Sequence, residues 1–164
     1  KTWKVIADIP KPDNMQTAGT GLGEPHMIEL ASGKIIAMFR HERKDQKNFM
    51  MQSESYDGGK TWTPLHDTGI WGYPPHLMQL ENGWVLVVYG YRRKPYGERA
   101  CISRDEGKTW DLQNEIILTD AALSNDIGYP SSVQLNDGSI FTVYYQADRV
   151  GGPALIESTH WRLK

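Results

Sequence analysis

The sequence predicts an all-β protein built of β-propeller blades of four antiparallel strands, about three blades of a six-bladed ring. Three observations support this prediction. The 164 residues repeat one pattern about every fifty residues, the same turn chemistry returns at the same place in the repeat, and no stretch has a convincing 3.6-residue hydrophobic period. Four short strands in a repeat of this length are typical of propeller blades. A β-sandwich, the alternative, leaves the regular return of one turn unexplained.

Each repeat reads as X-Pro, four residues, Leu, two residues, Gly and then an apolar run that ends in Phe or Tyr. The copies are EPHMIELASGKIIAMFR from Glu24, PPHLMQLENGWVLVVYG from Pro74 and YPSSVQLNDGSIFTVYY from Tyr129. Their prolines lie 50 and 55 residues apart, at Pro25, Pro75 and Pro130. This spacing predicts blades at 23–72, 73–127 and 128–164, all within one partial propeller domain.

Within a repeat, the first strand leads through a Gly-containing turn into a near-continuous apolar run, which is typical of a strand buried on both faces. A third strand, an Asp-Gly turn and a fourth strand that starts at Trp complete the blade. Residues 1–22 contain KTWKVIADI, which resembles such a fourth strand, followed by a linker. We expect that strand to belong to a preceding blade or to complete the last one. Three blades do not close a ring, so we expect either the rest of a longer propeller, which the mid-motif start favours, or a second copy in a homodimer.

Composition excludes several classes of function. The formal net charge of −2 and the sequence pI of about 6.2 argue against a nucleic-acid surface. No apolar run reaches the length that crosses a membrane. A single cysteine, Cys101, excludes an internal disulfide or a multi-cysteine zinc site, and its apolar surroundings predict a buried thiol. Six Trp and eight Tyr are typical of a β protein or of a carbohydrate-binding surface. We expect no cofactor.

The Asp-Gly turns match the Asp-box, also called the bacterial neuraminidase repeat. The first box consists of Ser55, Asp57, Gly59, Thr61 and Trp62, and the second of Ser103, Asp105, Gly107, Thr109 and Trp110. The Asp side chain of such a turn can accept hydrogen bonds from backbone N–H groups of the turn, and the Trp can pack beneath it. We therefore expect these residues to be structural, on the outer part of a blade and away from the central cleft.

Over essentially its whole length, the sequence resembles about the last three of the six blades in the catalytic domain of bacterial sialidases. The strings that carry this resemblance are GEPHMIELASGKIIAMFR, GERACISRDEGKTW and GYPSSVQLNDG. The resemblance implies that Tyr129 is the nucleophile and Glu24 its base, and that Arg40 and Arg99 bind the substrate carboxylate. Independently of it, Glu24 and Tyr129 each precede the repeat proline, so the two side chains can reach one cleft.

The chemistry explains these residue types. Sialic acid carries a carboxylate on its reacting carbon, which repels a carboxylate nucleophile, whereas guanidinium pairs with it bidentately. Arg92 is a further candidate for the anion site. His26 and His76 share one repeat position, which favours a structural or substrate-lining role over a metal site with Glu24.

Two departures from the sialidase pattern leave other functions open. The pattern needs a third Arg and an acid/base Asp from earlier blades, and Gln146 stands where a Glu is expected. We therefore expect little turnover by the isolated chain, and we keep two alternatives. One is a hydrolase or lyase of another acidic sugar such as a uronate; the other is a non-catalytic carbohydrate-binding or assembly propeller that uses Trp71, Tyr73 and Tyr91. In each case the expected ligand is an acidic carbohydrate, and the resemblance suggests a secreted or periplasmic bacterial protein.

Overall fold

Three antiparallel sheets of four, four and three strands make up the described part of the chain. A computed structural model describes residues 2–12, 15, 21–43 and 47–163. The first sheet contains β1 (Gly21–Glu29), β2 (Ile35–Glu42), β3 (Phe49–Ser55) and β4 (His66–Trp71). The second contains β5 (Pro75–Gln79), β6 (Val85–Tyr91), β7 (Tyr96–Ser103) and β8 (Ile116–Ala122), with a short 3₁₀ turn at Leu112–Asn114 before β8. The third contains β9 (Ile127–Gln134), β10 (Ile140–Ala147) and β11 (Ala154–Trp161). The predicted all-β class and blade-like sheets are confirmed.

The first hairpin of each sheet closes on the glycine that the repeat predicts. The glycine N–H donates to the leucine carbonyl three residues earlier at 2.8 Å in all three sheets, at Gly33, Gly83 and Gly138. Each of these glycines has a φ between 79° and 86°, a left-handed conformation that a side chain disfavours. The turn therefore fixes the same hairpin register in every blade.

Two apolar cores hold the sheets face to face. Ile36 and Met38 of β2 pack with Val87 of β6 between the first and second sheets. On the other face of β6, Val88 packs with Ile140 of β10, between the second and third sheets. Strand β6 is therefore buried on both faces, as its continuous apolar run predicts.

Cys101 lies in the core between the first and second sheets and is fully buried. Burial raises the pKa of its thiol to about 12, so the group stays protonated and unreactive near neutral pH. The prediction of a buried thiol is confirmed.

Both Asp-boxes form compact turns. The Asp57 carboxylate accepts the Thr61 N–H at 2.9 Å and the Thr61 hydroxyl at 2.7 Å, and these bonds lower its pKa to about 2. Asp105 and Thr109 make the same pair of bonds at 2.9 and 2.6 Å. Each turn is therefore tied to its own carboxylate, as the expected structural role requires.

The second Asp-box also docks on the first sheet. Gln52 of β3 donates to the Gly107 carbonyl at 2.7 Å and accepts the indole N–H of Trp110 at 3.0 Å. Lys34 donates to the Glu106 carbonyl at 2.7 Å. In the first box, by contrast, the Trp62 indole donates to Gly59 within its own turn at 3.1 Å. The second box therefore joins two blades as well as closing a hairpin.

Residues 2–12 form no strand, which differs from the fourth strand expected there. The Trp3 side chain is 93 % exposed, and the Pro10 carbonyl accepts the Leu65 N–H at 2.9 Å, beside the first sheet. A strand requires a neighbouring strand to pair with, and this segment bonds instead to the residue just before β4. A closing strand for the last blade, and the numbered blade boundaries, stay predictions. Within the described residues, no helix combines the length and apolarity needed to cross a bilayer.

Candidate functional site

Glu24 and Tyr129 have backbone conformations that side chains rarely adopt. Their φ angles are 47° and 52°, and each residue precedes the proline of its repeat. The pairing register shifts beside each of them, between Gly23 and His26 in β1 and opposite Val143 and Tyr145 in β9. Left-handed conformations of non-glycine residues destabilise a fold and cluster at functional sites. The same unusual geometry at two equivalent positions marks both as candidates.

The two side chains meet in one cleft. The Tyr129 hydroxyl donates to Oε1 of Glu24 at 2.5 Å, although the residues are 105 positions apart. The cleft has a volume of about 280 Å³ and is lined by Glu24, Pro25, His26, Pro74, Pro75, Tyr129 and Pro130. Pro74 occupies the same repeat position on the middle blade. The cleft therefore combines one carboxyl–phenol pair with a surface formed largely by prolines.

The hydrogen bond determines the state of the phenol. It raises the pKa of Tyr129, and partial burial and the negative charge of Glu24 act in the same direction. The phenol therefore stays protonated near neutral pH and donates to the carboxylate. Glu24 lies where it can accept that proton during a reaction, which is the geometry that a general base needs.

Arg40 forms ion pairs with Glu24 and with a second carboxylate. One Nη atom of Arg40 donates to Oε1 of Glu24 at 2.8 Å, and the other pairs with Glu42. Its guanidinium carbon also lies 4.3 Å from the centre of the Tyr73 ring. Two carboxylates therefore already compensate its charge. The expected direct role in binding a substrate carboxylate stays a prediction.

Arg92 is the cation of the site that is least compensated. Its Nε donates to the Ile127 carbonyl at 2.9 Å, and Nη2 donates to the Tyr145 hydroxyl at 3.4 Å. Among the described residues it forms no ion pair. Burial raises the pKa of the nearby Glu98 carboxyl well above its usual range, against the opposing effect of Arg92, which favours the neutral form of Glu98 and weakens its compensation of Arg92. Arg92 can therefore accept an anionic ligand.

Arg99 is built into the packing of the second sheet. It pairs with Glu115, which also accepts the Tyr89 hydroxyl at 2.5 Å. Its guanidinium carbon lies 3.6 Å from the centre of the Tyr91 ring, and only 12 % of its side chain is exposed. Like Arg92, Arg99 is not among the cleft-lining residues. Glu115 thus compensates its charge in this structure, and the carboxylate-binding role expected from the sequence stays a prediction.

His26 and His76 join neighbouring inner strands. Nδ1 of His26 accepts the Leu77 N–H at 3.1 Å, and Nε2 of His76 accepts the Ser132 N–H at 3.1 Å. Burial lowers the pKa of both imidazoles, and a nitrogen that accepts an N–H must be unprotonated. The structural role fits both residues, and His26 also lines the cleft. The described residues contain no group of three or more His, Cys, Asp or Glu side chains suited to a metal ion.

Trp71, Tyr73 and Tyr91, the aromatic residues predicted for a non-catalytic carbohydrate-binding propeller, form a cluster. The ring centre of Trp71 lies 5.8 Å from that of Tyr73 and 5.5 Å from that of Tyr91. Tyr73 is buried and has both Arg40 and Arg92 near its ring. Its surface is therefore largely covered by arginines.

Sequence reasoning missed Tyr145 and Asp126. The Tyr145 hydroxyl donates to Oδ1 of Asp126 at 2.6 Å, and its ring centre lies 5.8 Å from that of Tyr129. The signal was available in the repeat, because Tyr145 occupies the position that Arg40 has in the first copy. The neighbouring Gln146 has a buried Oε1 atom without a hydrogen-bond partner in the described part of the chain.

Comparisons with known proteins agree with this architecture. The chain is similar to a protein of unknown function from Dyadobacter fermentans, with 30 % identity, a TM-score of 0.77 and coverage of 94 % of this chain and 41 % of that one. It shares its fold with an α-L-arabinofuranosidase from Fusarium graminearum, at 18 % identity, a TM-score of 0.68 and coverage of 93 % and 48 %. An ulvan lyase shares the fold at 11 % identity, with a TM-score of 0.62 and coverage of 84 % and 40 %.

The chain spans less than half the length of each of these structures. None of the curated proteins compared with it matches. The model of the BNR repeat-like domain matches residues 2–143. With both Asp-boxes and the first two sheets within these residues, the chain belongs to the BNR repeat-like domain family.

Proposed function

We propose that the protein, with its propeller completed, cleaves glycosides of an acidic sugar in the manner of a retaining sialidase. Tyr129 is the nucleophile and Glu24 its base. The observation that carries this proposal is the 2.5 Å hydrogen bond from the Tyr129 hydroxyl to Glu24. It joins a nucleophile to a base at a cleft of about 280 Å³.

The reaction has two steps. As the phenol oxygen attacks the anomeric carbon, its proton passes to Oε1 of Glu24 and the bond to the leaving oxygen breaks. Water then attacks the anomeric carbon of the glycosyl–tyrosine intermediate and the bond from that carbon to the tyrosine oxygen breaks. Glu24 returns its proton to the tyrosine oxygen, the water proton passes to the group that protonated the leaving oxygen in the first step, and the sugar is released with retained configuration. A neutral phenol suits an acidic sugar because it does not repel the substrate carboxylate. The acid that protonates the leaving oxygen is expected from a further blade.

Arg92 binds the substrate carboxylate in this proposal. It makes hydrogen bonds only to uncharged acceptors in the described structure, the Ile127 carbonyl and the Tyr145 hydroxyl. Its positive charge also acts on Tyr129 and lowers the pKa of that phenol, against the stronger effect of Glu24. Arg40 contributes indirectly, by holding the Glu24 carboxylate at 2.8 Å.

A β-eliminating lyase of a uronate is the second candidate. The ion pairs of Arg40 with Glu24 and of Arg99 with Glu115 favour it, because they leave Arg92 as the main carboxylate ligand. One guanidinium is enough to neutralise a uronate and acidify the C–H bond beside its carboxyl group. Tyr129, deprotonated by Glu24, would take that proton while the glycosidic oxygen leaves, and the product would be an unsaturated sugar.

Two substrates separate these reactions. We expect the complete propeller to release the aryl alcohol from an aryl α-sialoside, and Tyr129→Phe to abolish that release. If a uronate oligosaccharide gives an ultraviolet-absorbing product and the sialoside releases no aryl alcohol, the lyase reaction would be favoured over hydrolysis. Turnover unchanged in Tyr129→Phe would contradict both. If the protein binds glycans but forms no product, and Glu24→Gln binds them equally strongly, the result would favour a non-catalytic carbohydrate-binding propeller. Tyr56→Phe, on the exposed first Asp-box, is the matched control.

A further inference from the structure

We propose that Tyr145, held by Asp126, is a positioning residue that aims Tyr129 at Glu24 and fixes Arg92 beside the cleft. The role in turnover rests on the proposed function, whereas the aiming of the phenol can be tested without it. Neither residue belongs to either Asp-box or lines the cleft directly.

The first argument comes from the register of the inner hairpins. Gly23, the residue before Glu24, pairs with Arg40 of β2, and Gly128, the residue before Tyr129, pairs with Tyr145 of β10. Arg40 and Tyr145 therefore occupy equivalent positions, each on the second strand of its sheet and opposite the residue that precedes the cleft residue. Arg40 holds Glu24 through a hydrogen bond at 2.8 Å, and Tyr145 contacts Tyr129 through its ring at 5.8 Å between centres.

The middle blade supplies an internal comparison. Its residue at this place is Gly90, whose carbonyl accepts the Tyr73 N–H at 3.0 Å. A Cβ at Gly90 would lie 2.9 Å from the Cα of Gly128, so the position has no room for a side chain. Its cleft residue is Pro74, which has no group to aim. The first and third blades, which place Glu24 and Tyr129 in the cleft, are thus also the two that have a large side chain at the paired position.

The contacts of Tyr145 give it two tasks. Its ring lies at 35° to that of Tyr129, which is 52 % exposed and is held at its other end by the hydrogen bond to Glu24. Its hydroxyl donates to Asp126 at 2.6 Å, which leaves its oxygen to accept from Nη2 of Arg92 at 3.4 Å. Asp126 itself is anchored where its carbonyl accepts the Ala147 N–H at 3.1 Å. Ring and hydroxyl can therefore be tested separately.

Tyr145→Phe and Tyr145→Leu separate the two tasks. Tyr145→Phe keeps the ring and loses the bond to Arg92, so we expect KM for the acidic glycoside to rise about tenfold with kcat retained. Tyr145→Leu also loses the ring, and a misplaced nucleophile should lower kcat by about 10²-fold. Tyr144→Phe is the control, because its hydroxyl bonds Thr159 at 3.0 Å within the third sheet. Equal kinetics in all three variants and the parent would overturn the proposal.

A spectroscopic titration tests the aiming without turnover. In protein labelled at tyrosine Cζ, we expect the raised pKa of Tyr129 to move towards its ordinary value in Tyr145→Leu and to stay raised in Tyr145→Phe and Tyr144→Phe. An unchanged Tyr129 titration in folded Tyr145→Leu would overturn the positioning role even if the protein is an active enzyme. A shifted titration in a protein that cleaves neither substrate would support the positioning role and overturn the proposed function instead. Circular dichroism verifies that each variant is folded.

Discussion

The Tyr129 hydroxyl lies 2.5 Å from Oε1 of Glu24, although the two residues belong to non-adjacent sheets and are 105 positions apart. Both precede a proline, and both have a left-handed backbone. The repeat thus places two different side chains in one local geometry and aims them at each other past Pro74 of the middle sheet. A contact of this kind depends on the positions of three sheets at once, which makes it sensitive to changes far from the cleft.

Glu24→Gln should lower the pKa of Tyr129. The present carboxylate raises it, first by accepting the hydroxyl hydrogen bond and then by its charge. An amide can still accept the bond but carries no charge, so the neighbouring arginines would then favour the phenolate. The measurement is the absorbance of phenolate against pH, compared with Tyr129→Phe to isolate this residue. Glu42→Gln, which changes the other partner of Arg40, is the control, and a Tyr129 pKa unmoved by Glu24→Gln would contradict the assignment.

Arg92→Ala should weaken the binding of acidic glycosides more than that of neutral ones. The loss of a charge-assisted hydrogen bond predicts a rise in KM of about 10- to 100-fold. Glu98→Gln is a matched control, because burial raises the pKa of the Glu98 carboxyl and favours its neutral form, so that an amide of equal size should leave KM unchanged. If acidic and neutral glycosides lose affinity equally, Arg92 is not the carboxylate ligand.

At position 129, glycine should give a more stable protein than alanine because of the backbone conformation. At a φ of 52° we expect Tyr129→Gly to be more stable to urea than Tyr129→Ala by about 1 kcal/mol, since both lose the side chain and only alanine keeps the strain. Met27, exposed in the middle of β1, should show the opposite order for the same two substitutions. The same order at both positions would argue against stored strain at the cleft.

A glycine-to-alanine substitution should destabilise the protein more in the second Asp-box than in the first. Gly59 and Gly107 occupy the same box position, with φ angles of 83° and 78°. A Cβ at Gly107 would lie 2.6 Å from Cδ1 of Ile36, whereas at Gly59 the nearest atom is 3.8 Å away. Gly107→Ala should therefore lose about 1–3 kcal/mol more in free energy of unfolding than Gly59→Ala. Equal losses would show that the second box does not hold the blades together.

The local features of the sequence predicted most of the fold. The Leu-x-x-Gly turns, the Asp-boxes and the apolar run of β6 each encode a short-range requirement, and the structure has the corresponding turn or buried strand. Glu24 and Tyr129 were found because the repeat makes their positions equivalent. The pairing of Arg99 with Glu115 was missed because it depends on how β7 lies against the segment after the second box. The pairing of Arg40 with Glu42 is local by contrast, because residues two apart on a strand lie on the same face, and it could have been predicted from the sequence.

Acidification should loosen the contacts between blades through His26 and His76. Burial lowers the pKa of both imidazoles below their ordinary value, and both accept a backbone N–H from the next blade at 3.1 Å. The unfolded chain therefore binds more protons than the folded one below an ordinary histidine pKa of about 6.5. The stabilisation is complete above that pH and is lost as the pH falls through the lower folded values.

We expect the urea midpoint to fall between pH 7 and pH 5, and the fall to be smaller in the double variant His26→Gln and His76→Gln. Asp57, with a pKa of about 2, does not titrate in this window. His66→Gln is the control, since its imidazole is 47 % exposed and bonds Glu54 at 3.1 Å within the first sheet. A pH dependence that persists undiminished in the double variant would place the titrating groups elsewhere and leave these two histidines as simple packing residues.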